Sequence, residues 1–216
     1  MTTTDMLEWF NLLQDKSGSV YYTEDEQLLF LNRAQYEYVN GLLPSNEGGI
    51  VNVEDTQLNL ENIHSLVFEI PLLVMDSAGI IDRSEVIDEL QTISGDSAAD
   101  IMKTIAVEYK RGQDRFECKF MRHNDKGAFE KNYFKKPSFE SPKYLLQNNN
   151  YQFRPIDELA TINITVIKTP KLITDMVDCE LPPSTHNEIV AIGLEFAGIS
   201  SRDEMLAELN RLQLPK

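Results

Sequence analysis

The chain has 216 residues, a net charge of −15 and 25% charged residues. A chain of this length buries roughly 70% of its extended surface, so one domain, or a body with one helical appendage, is expected. No apolar run approaches the roughly 20 residues that cross a bilayer, and the N-terminal sequence MTTTDMLEW lacks the blocks of a signal peptide. An intracellular protein, or one assembled inside a cell, is expected. The acidic balance argues against a general nucleic-acid binder, which carries a basic surface.

Charge is distributed unevenly along the chain. Residues 1–64 carry eleven Asp or Glu and two Lys or Arg, whereas residues 110–143 carry ten Lys or Arg and five Asp or Glu. One interpretation of the second window is a solvated β surface of mixed charge. The other is complementarity, in which the basic window of one copy contacts the acidic end of a neighbouring copy and fixes their register.

The first helix is predicted over residues 4–14. An acidic start accompanies Met6, Phe10 and Leu13, which share one face of a helix. Trp9 is the only tryptophan in the chain. We expect it either to cap the core of a helical bundle or to anchor in the groove of a partner.

A second and longer helix is predicted to begin at Thr23. Thr23 and Glu26 have the spacing of a capping box, in which each residue satisfies a backbone N–H of the other. Apolar and aromatic residues then cover much of the circumference until Gly41 and Pro44 end the pattern. This helix is therefore expected to pack on more than one side. The polar stretch 45–62 is predicted to be a loop.

From residue 63 onward the sequence favours β-strands. Short apolar or alternating segments are separated by polar connections, and the sequence from Asp76 to Gly79 is typical of a tight turn. The strand-like segments are 66–68, 71–75, 80–81, 101–110, 116–122, 143–147, 151–154 and 162–167. A short helix or turn is predicted at 84–90. The middle of the chain therefore predicts a small antiparallel sheet or sandwich.

The last strand-like segment is followed by a helical end of the chain. A Pro182-Pro183 pair interrupts regular structure, and Thr185 and Glu188 then have the spacing of a second capping box. The amphipathic helix that they open is expected to end in a left-handed residue at Gly198.

One more helix is predicted after Ser201, which has Glu204 at the capping-box spacing. Its apolar stripe consists of Met205, Leu206, Leu209 and Leu212. So short a helix cannot form its own core, so it is expected to lie on the first two helices or on another protein.

These elements together predict an α+β fold. The N-terminal and C-terminal helices form a helical bundle, and the centre forms an antiparallel, β-rich, sandwich-like body. The expected boundaries are 1–62 and 184–216 for the bundle and 63–183 for the β-rich body.

The sequence contains no recognisable arrangement of catalytic or metal-ligating residues. His64, His123 and His186 lack metal-ligand spacing, and no phosphate-binding glycine loop, nucleophile elbow or zincin motif is present. Cys118 and Cys179 are expected to be free, buried thiols. We therefore predict a protein that is not an enzyme and that needs no metal or other cofactor.

Three blocks of the sequence together carry a resemblance. The first is LLFLNRAQYEYV in the long helix, from residue 28. The second is FKKP at 134–137 followed by PKYL at 142–145, and the third combines IKTPK at 167–171, CELP at 179–182 and HNEIV at 186–190. Together they resemble the ring-forming head-to-tail adaptors of crAss-like phages and related tailed bacteriophages. The resemblance covers roughly residues 24–43 and 116–212, and departs from the family after Gly79, where a Leu-Pro pair is usual.

The resemblance implies a non-enzymatic virion structural protein of the neck or tail, assembled in the cytoplasm of the bacterial host. About a dozen copies would form a ring below the portal protein and carry the DNA exit channel. The implied partners are the portal protein, copies of the same chain, and other tail or ring proteins, without a membrane. Double-stranded DNA would pass through the ring without specific binding, because an acidic surface repels it.

Two groups of residues are candidates for the contacts of such a ring. The apolar stripe of the last helix, formed by Met205, Leu206, Leu209 and Leu212, would dock on the portal or a neighbour. The residues predicted to contact a subunit or the next ring are Arg115, Lys119, Arg122, Lys135 and Lys136. The alternative hypothesis is a scaffold or interaction module outside the virion, which binds one partner through its terminal helices and forms no ring.

Overall fold

A computed structural model describes residues 2–17, 21–42, 61–122, 127, 136–157 and 159–198. The chain divides into two compact units. The helical unit comprises Met1–Leu66 and Pro170–Lys216, and the β unit comprises Val67–Thr169. Helices near the chain ends and two mainly antiparallel sheets between them confirm the predicted α+β fold.

The helical unit contains helices α1 (Thr3–Ser17), α2 (Glu24–Leu42) and α4, which is described over residues 186–198. The predicted capping box of α2 is confirmed, because the Thr23 N–H donates to the Glu26 carboxylate at 2.8 Å and the Glu26 N–H donates to the Thr23 hydroxyl at 3.4 Å. Thr2 and Asp5 form an equivalent box at the start of α1, which the sequence analysis did not identify. Both helices thus have satisfied N-terminal donors.

The apolar faces of the three helices supply the core of the helical unit. Its fully or almost fully buried side chains include Met6, Phe10, Leu31, Ala34, Tyr38, Val39, Ile189, Val190 and Ala197. Gly193 allows close approach within this core, because a Cβ there would lie 3.4 Å from the ring of Phe10 and 3.6 Å from Leu31. The predicted face of Met6 and Phe10 is the buried face of α1.

The start and the end of α4 differ from the prediction. The Thr185 N–H donates to the Pro182 carbonyl at 2.9 Å instead of to the Glu188 carboxylate, since the Pro182-Pro183 turn brings that carbonyl beneath it. The predicted second capping box is therefore wrong. Gly198 is still helical and has no left-handed backbone conformation, so the expected left-handed terminus at this residue is also wrong.

The β unit contains eight described strands in two four-stranded sheets. The first sheet has the order β1-β8-β3-β4 and the second the order β2-β7-β6-β5. All neighbours are antiparallel except β5 and β6, which are parallel. The strands are β1 (Val67–Val74), β2 (Ile80–Asp82), β3 (Ile101–Arg111), β4 (Asp114–Glu117), β5 (Lys119–Phe120), β6 (Lys143–Gln147), β7 (Asn150–Arg154) and β8 (Thr161–Lys168).

The chain crosses between the two sheets at both of their edges. A tight turn at 75–79 separates β1 from β2, and the single residue Cys118 separates β4 from β5. Helix α3 (Arg83–Ser94) then leads from β2 to β3. One apolar cluster, which includes Ile70, Leu90, Val107, Tyr109, Tyr151, Phe153, Ile162 and Ile164, joins both sheets and α3. The β unit therefore has one core, as the sandwich-like prediction requires.

Strand β1 has an irregular outer edge. Its pairing with β8 shifts between Ile70 and Leu73, and Leu72 has a φ of +61°. The buried Asn163 side chain stabilises this bulge by accepting the Leu72 N–H at 3.1 Å and donating to the Glu69 carboxylate at 3.1 Å. A bulge next to Pro71 prevents regular pairing of this edge with a further strand.

Several boundaries differ from those predicted. Helix α3 spans Arg83–Ser94, longer than the 84–90 segment expected, and ends at Gly95 with a φ of +66°. The strand expected at 116–122 is divided at Cys118, because the two halves pair with different sheets. The predicted β-rich body, 63–183, extends beyond the β unit at both ends, because residues 63–66 and 170–183 belong to the helical unit. The backbone of the second segment is hydrogen-bonded to α1 and α2.

Candidate functional site

The described part of the chain offers no arrangement typical of a catalytic or metal site. No group of three or more His, Cys, Asp or Glu among these residues could hold a metal ion. An open depression of about 520 Å³ beside α3 is lined by Asp88, Gln91, Thr92, Gly95 and Ser97. Its described lining holds two hydroxyls and a carboxylate but neither a histidine nor a lysine that could act as a base. No helix in the described ranges is long and apolar enough to cross a membrane.

Both cysteines are buried and free, as predicted. Burial raises the pKa of the Cys118 thiol to about 12 and that of the Cys179 thiol to about 11. Each thiol therefore stays protonated at neutral pH, and neither has the thiolate character of a nucleophile.

The residues predicted as contact sites lie in different parts of the chain. Met205, Leu206, Leu209 and Leu212 lie outside the described residues, as does Lys135. Trp9 lies on α1 and is 37% exposed, whereas Met6 and Phe10 on the same helix are fully buried. Its ring therefore lies at the rim of the helical core instead of inside it, which leaves part of it available to a partner.

The remaining predicted residues of the basic window are exposed on the β unit. Arg115 is on β4 and forms a 3.9 Å ion pair with Glu108 on the neighbouring strand β3. Lys119 is on β5 and Arg122 follows it, on either side of Phe120. Neither Lys119 nor Arg122 forms an ion pair with any residue in the described ranges, and the same holds for Lys136. Their positive charges are therefore not neutralised within the described structure.

Phe120 stands out on this edge because more than half of its side chain is exposed. Its exposed fraction is 53%, and its ring meets that of Tyr144 edge-on, with 5.5 Å between the ring centroids. The Tyr144 ring in turn stacks on Phe153, which is fully buried. The exposed ring is thus supported from below by the core of the β unit. We call Lys119, Phe120 and Arg122 the β5 edge.

A second surface is formed by the segment 170–181 of the helical unit, which we call the 170–181 loop. The Asn32 side chain of α2 donates to the Ile173 carbonyl at 2.9 Å and accepts the Ile173 N–H at 2.7 Å. Gln35, one turn further along α2, donates to the Lys171 carbonyl at 2.8 Å and accepts a hydrogen bond from the Cys179 thiol. Two polar side chains of one helix thus satisfy the backbone of a loop about 140 positions away.

Helix α1 holds the other side of the 170–181 loop. The Thr3 N–H donates to the Asp178 carboxylate at 2.6 Å, and the Thr3 hydroxyl donates to the Val177 carbonyl at 3.2 Å. Within the loop, Thr174 and Val177 exchange two backbone hydrogen bonds of 3.1 and 3.2 Å, which close a tight turn. Ile173, Cys179 and Leu181 are buried beneath it. The loop backbone is therefore fixed at several points along its length.

The tip of this fixed loop is apolar and exposed. Met176 is 97% exposed and Leu172 is 58% exposed, which is unusual for large apolar side chains on an ordered segment. Asp175 and Asp178 are exposed beside them. A rigid loop with an exposed apolar tip is a typical protein-binding element, because little conformational entropy is lost when it binds.

His186 lies directly after this loop, at the first turn of α4, and is 2% exposed. Its Nε2 lies 2.9 Å from the Leu181 carbonyl, so Nε2 carries the proton in the neutral ring. Nδ1 has no partner among the described residues. Burial lowers the pKa of His186, and the nearby Asp178 carboxylate raises it by less. His186 is therefore a buried histidine whose ring is held by the Leu181 carbonyl.

The sequence pattern does not identify the 170–181 loop as a site. Asn32 and Gln35 interrupt the apolar pattern of the long helix, and this was the available signal. Buried polar side chains on a helix need partners, but the sequence does not say which segment supplies them.

Comparison of the chain with known proteins adds no assignment. A scan against models of protein families gave no match, and a search of curated proteins gave none.

Proposed function

We propose that this chain is a non-enzymatic virion structural protein: a head-to-tail adaptor that forms a ring between the portal and the tail of a tailed bacteriophage. The ring would carry the DNA exit channel, and its partners would be the portal protein, further copies of the chain and neighbouring tail or ring proteins. The virion neck or tail is the proposed location.

The observation that supports this proposal is the direct connection between two of the three blocks of the resemblance. Asn32 and Gln35 of the first block hydrogen-bond to the segment that begins with Lys171 of the third block and ends with Cys179. Residues that are far apart in the sequence but shared with one family are expected to be neighbours in its fold. They fix a loop whose exposed apolar tip suits assembly better than catalysis.

The electrostatics of the chain are compatible with a ring around DNA. Each chain carries a net charge of −15, so a ring of such chains would repel a duplex that passes through it. The uneven distribution of charge suits a contact between two different surfaces of identical subunits, which is the kind of contact that closes a ring.

Quantitative mass spectrometry of purified virions from the source phage tests the proposal. The measured quantity is the number of copies of this protein for each copy of the portal protein. We expect a ratio near one, because an adaptor ring matches or approaches the symmetry of the portal that it covers. Absence of the protein from virions would overturn the proposal and favour the scaffold or interaction module.

A further inference from the structure

We propose that the 170–181 loop of one copy binds the β5 edge of a second copy of this chain. This inference rests on the proposed function, since it names the two surfaces through which neighbouring subunits of the ring meet. It adds residues that were not among the sequence-based candidates, namely Leu172 and Met176 on the loop and Phe120 on the β5 edge.

The 170–181 loop has exposed apolar side chains at its tip and acidic residues near them. Met176 and Leu172 are exposed, and the tip residue Asp175 forms no ion pair with any described residue. Asp178 is also exposed, and its carboxylate accepts the Thr3 N–H at 2.6 Å. Because α1 and α2 already fix the loop backbone, little backbone entropy is lost when the tip binds.

The β5 edge also has exposed apolar and charged side chains, but its charges are positive. Phe120 is an exposed aromatic ring, and the cations on either side of it, Lys119 and Arg122, have no ion-pair partner in the described structure. The ring cannot retreat into the core, because Tyr144 already occupies the space beneath it. It is therefore a fixed apolar group, with the exposed cation Arg122 two residues further along the chain.

Complementary charge points to a second copy as the occupant of each surface. The loop tip has the exposed carboxylates of Asp175 and Asp178 near its apolar side chains, and its one cation, Lys171, is paired with Glu180 at 3.7 Å. The β5 edge has exposed cations near an exposed ring, so the two surfaces are complementary in charge. A methionine thioether against an aromatic ring is also a favourable contact. Because the two surfaces differ, the contact is head-to-tail, and repeating it joins copies into a closed ring or an open filament.

Photo-crosslinking of the full-length chain tests this contact. Met176 is replaced by the photo-crosslinking amino acid p-benzoylphenylalanine, which keeps an apolar group at the tip. A mixture of ¹⁵N-labelled and unlabelled protein separates crosslinks between copies from those within one copy. We expect crosslinks between copies to concentrate at Lys119–Arg122. The control places the same amino acid at Leu29, a 67% exposed position on α2, and should give at least tenfold less product there.

Charge reversal supplies the second arm of the test. Arg122→Glu should reduce the crosslink from position 176 at least tenfold, and adding Asp175→Lys to the same chain should restore it. The matched control adds Asp88→Lys instead, which gives the same net charge at an exposed site on α3 and should not restore the crosslink. Restoration by both lysines would mean that only net charge matters and would overturn the pairing.

The outcomes separate this inference from the proposed function. Crosslinks that are absent, or that map away from Lys119–Arg122, overturn the contact even if virions contain one copy for each portal subunit. Crosslinks at the β5 edge support the contact even if the protein is absent from virions, in which case the adaptor proposal fails and a self-assembling scaffold remains.

Discussion

At the scale of single residues, two polar side chains of α2 decide where the 170–181 loop lies. Asn32 and Gln35 together satisfy three backbone groups of the loop and the Cys179 thiol. The sequence indicated that α2 packs on more than one side, but it could not indicate these bonds. Hydrogen-bond partners about 140 residues apart leave no periodic signal in either segment, because the loop is neither helix nor strand.

Replacing Asn32 by alanine tests the contribution of these bonds. The Asn32→Ala variant leaves both the N–H and the carbonyl of Ile173 without their side-chain partner, and each such loss typically costs about 1–3 kcal/mol. We expect the free energy of unfolding of the helical unit to fall by about 2–4 kcal/mol. Urea denaturation followed by helical circular dichroism measures this change.

Asn40→Ala is the matched control, because Asn40 is exposed on the same helix and receives no bond from the loop. Its effect should stay within about 0.5 kcal/mol. Equal losses in the two variants would mean that helix propensity, and not the contact with the loop, determines the effect of Asn32.

At the scale of the elements, the sequence predicted several strands to within one residue at each end. The segment at 143–147 matches β6, and the segment at 162–167 lies within β8. The division at Cys118 could not be predicted, because the pattern on either side of it is continuous and only the pairing partners change. The predicted capping box at Thr185 is wrong for a related reason. The Thr185 N–H donates to the Pro182 carbonyl of the proline turn just before the helix, and not to the Glu188 carboxylate.

The turn between β1 and β2 allows a sharper prediction at this scale. Gly79 has a φ of +77°, and a Cβ there would lie 2.8 Å from Ile156 Cγ1 and 3.0 Å from the Phe153 carbonyl oxygen. Gly79→Ala therefore combines a left-handed conformation, which costs about 1–2 kcal/mol, with overpacking of about 1–3 kcal/mol. We expect a total loss of about 3 kcal/mol in the free energy of unfolding of the β unit.

A variant at Gly112 separates the cost of the left-handed conformation from the cost of overpacking. It lies between β3 and β4 with a φ of +61°, and nothing lies within 4 Å of an added Cβ. Gly112→Ala should therefore show only the conformational cost of about 1–2 kcal/mol. Urea denaturation followed by β-sheet circular dichroism compares the variants, and similar losses would exclude a role for crowding at Gly79.

At the scale of the whole molecule, the sequence predicted the fold class correctly, but it predicted the division into units less accurately. The helical and β periodicities identified both kinds of structure and their order along the chain. The segment 170–183 was assigned to the wrong unit, since an irregular loop has no pattern of its own and its place is set by buried Ile173 and by the bonds from α1 and α2.

Acidification is predicted to act on the two units differently. Burial lowers the pKa of His186 in the helical unit below its ordinary value of 6.5. The unfolded chain therefore binds a proton at a higher pH than the folded helical unit does, so stability is full above pH 6.5 and falls as the pH drops below it. The carboxylates of Asp5 and Glu26, whose pKa values are lowered by hydrogen bonds from the threonines that they cap, lose their charge only at lower pH.

Urea denaturation between pH 7.5 and pH 5, followed in parallel by the fluorescence of Trp9, which reports the helical unit, and by β-sheet circular dichroism, checks this prediction. The urea midpoint of the Trp9 signal should fall toward pH 5, and the fall should disappear in His186→Gln, which retains an amide donor for the Leu181 carbonyl but does not titrate. The charged groups around His186 include Asp178, whose carboxylate favours the protonated ring and so limits the effect. A pH dependence that persists in His186→Gln would assign it to other groups and contradict the role of the buried ring.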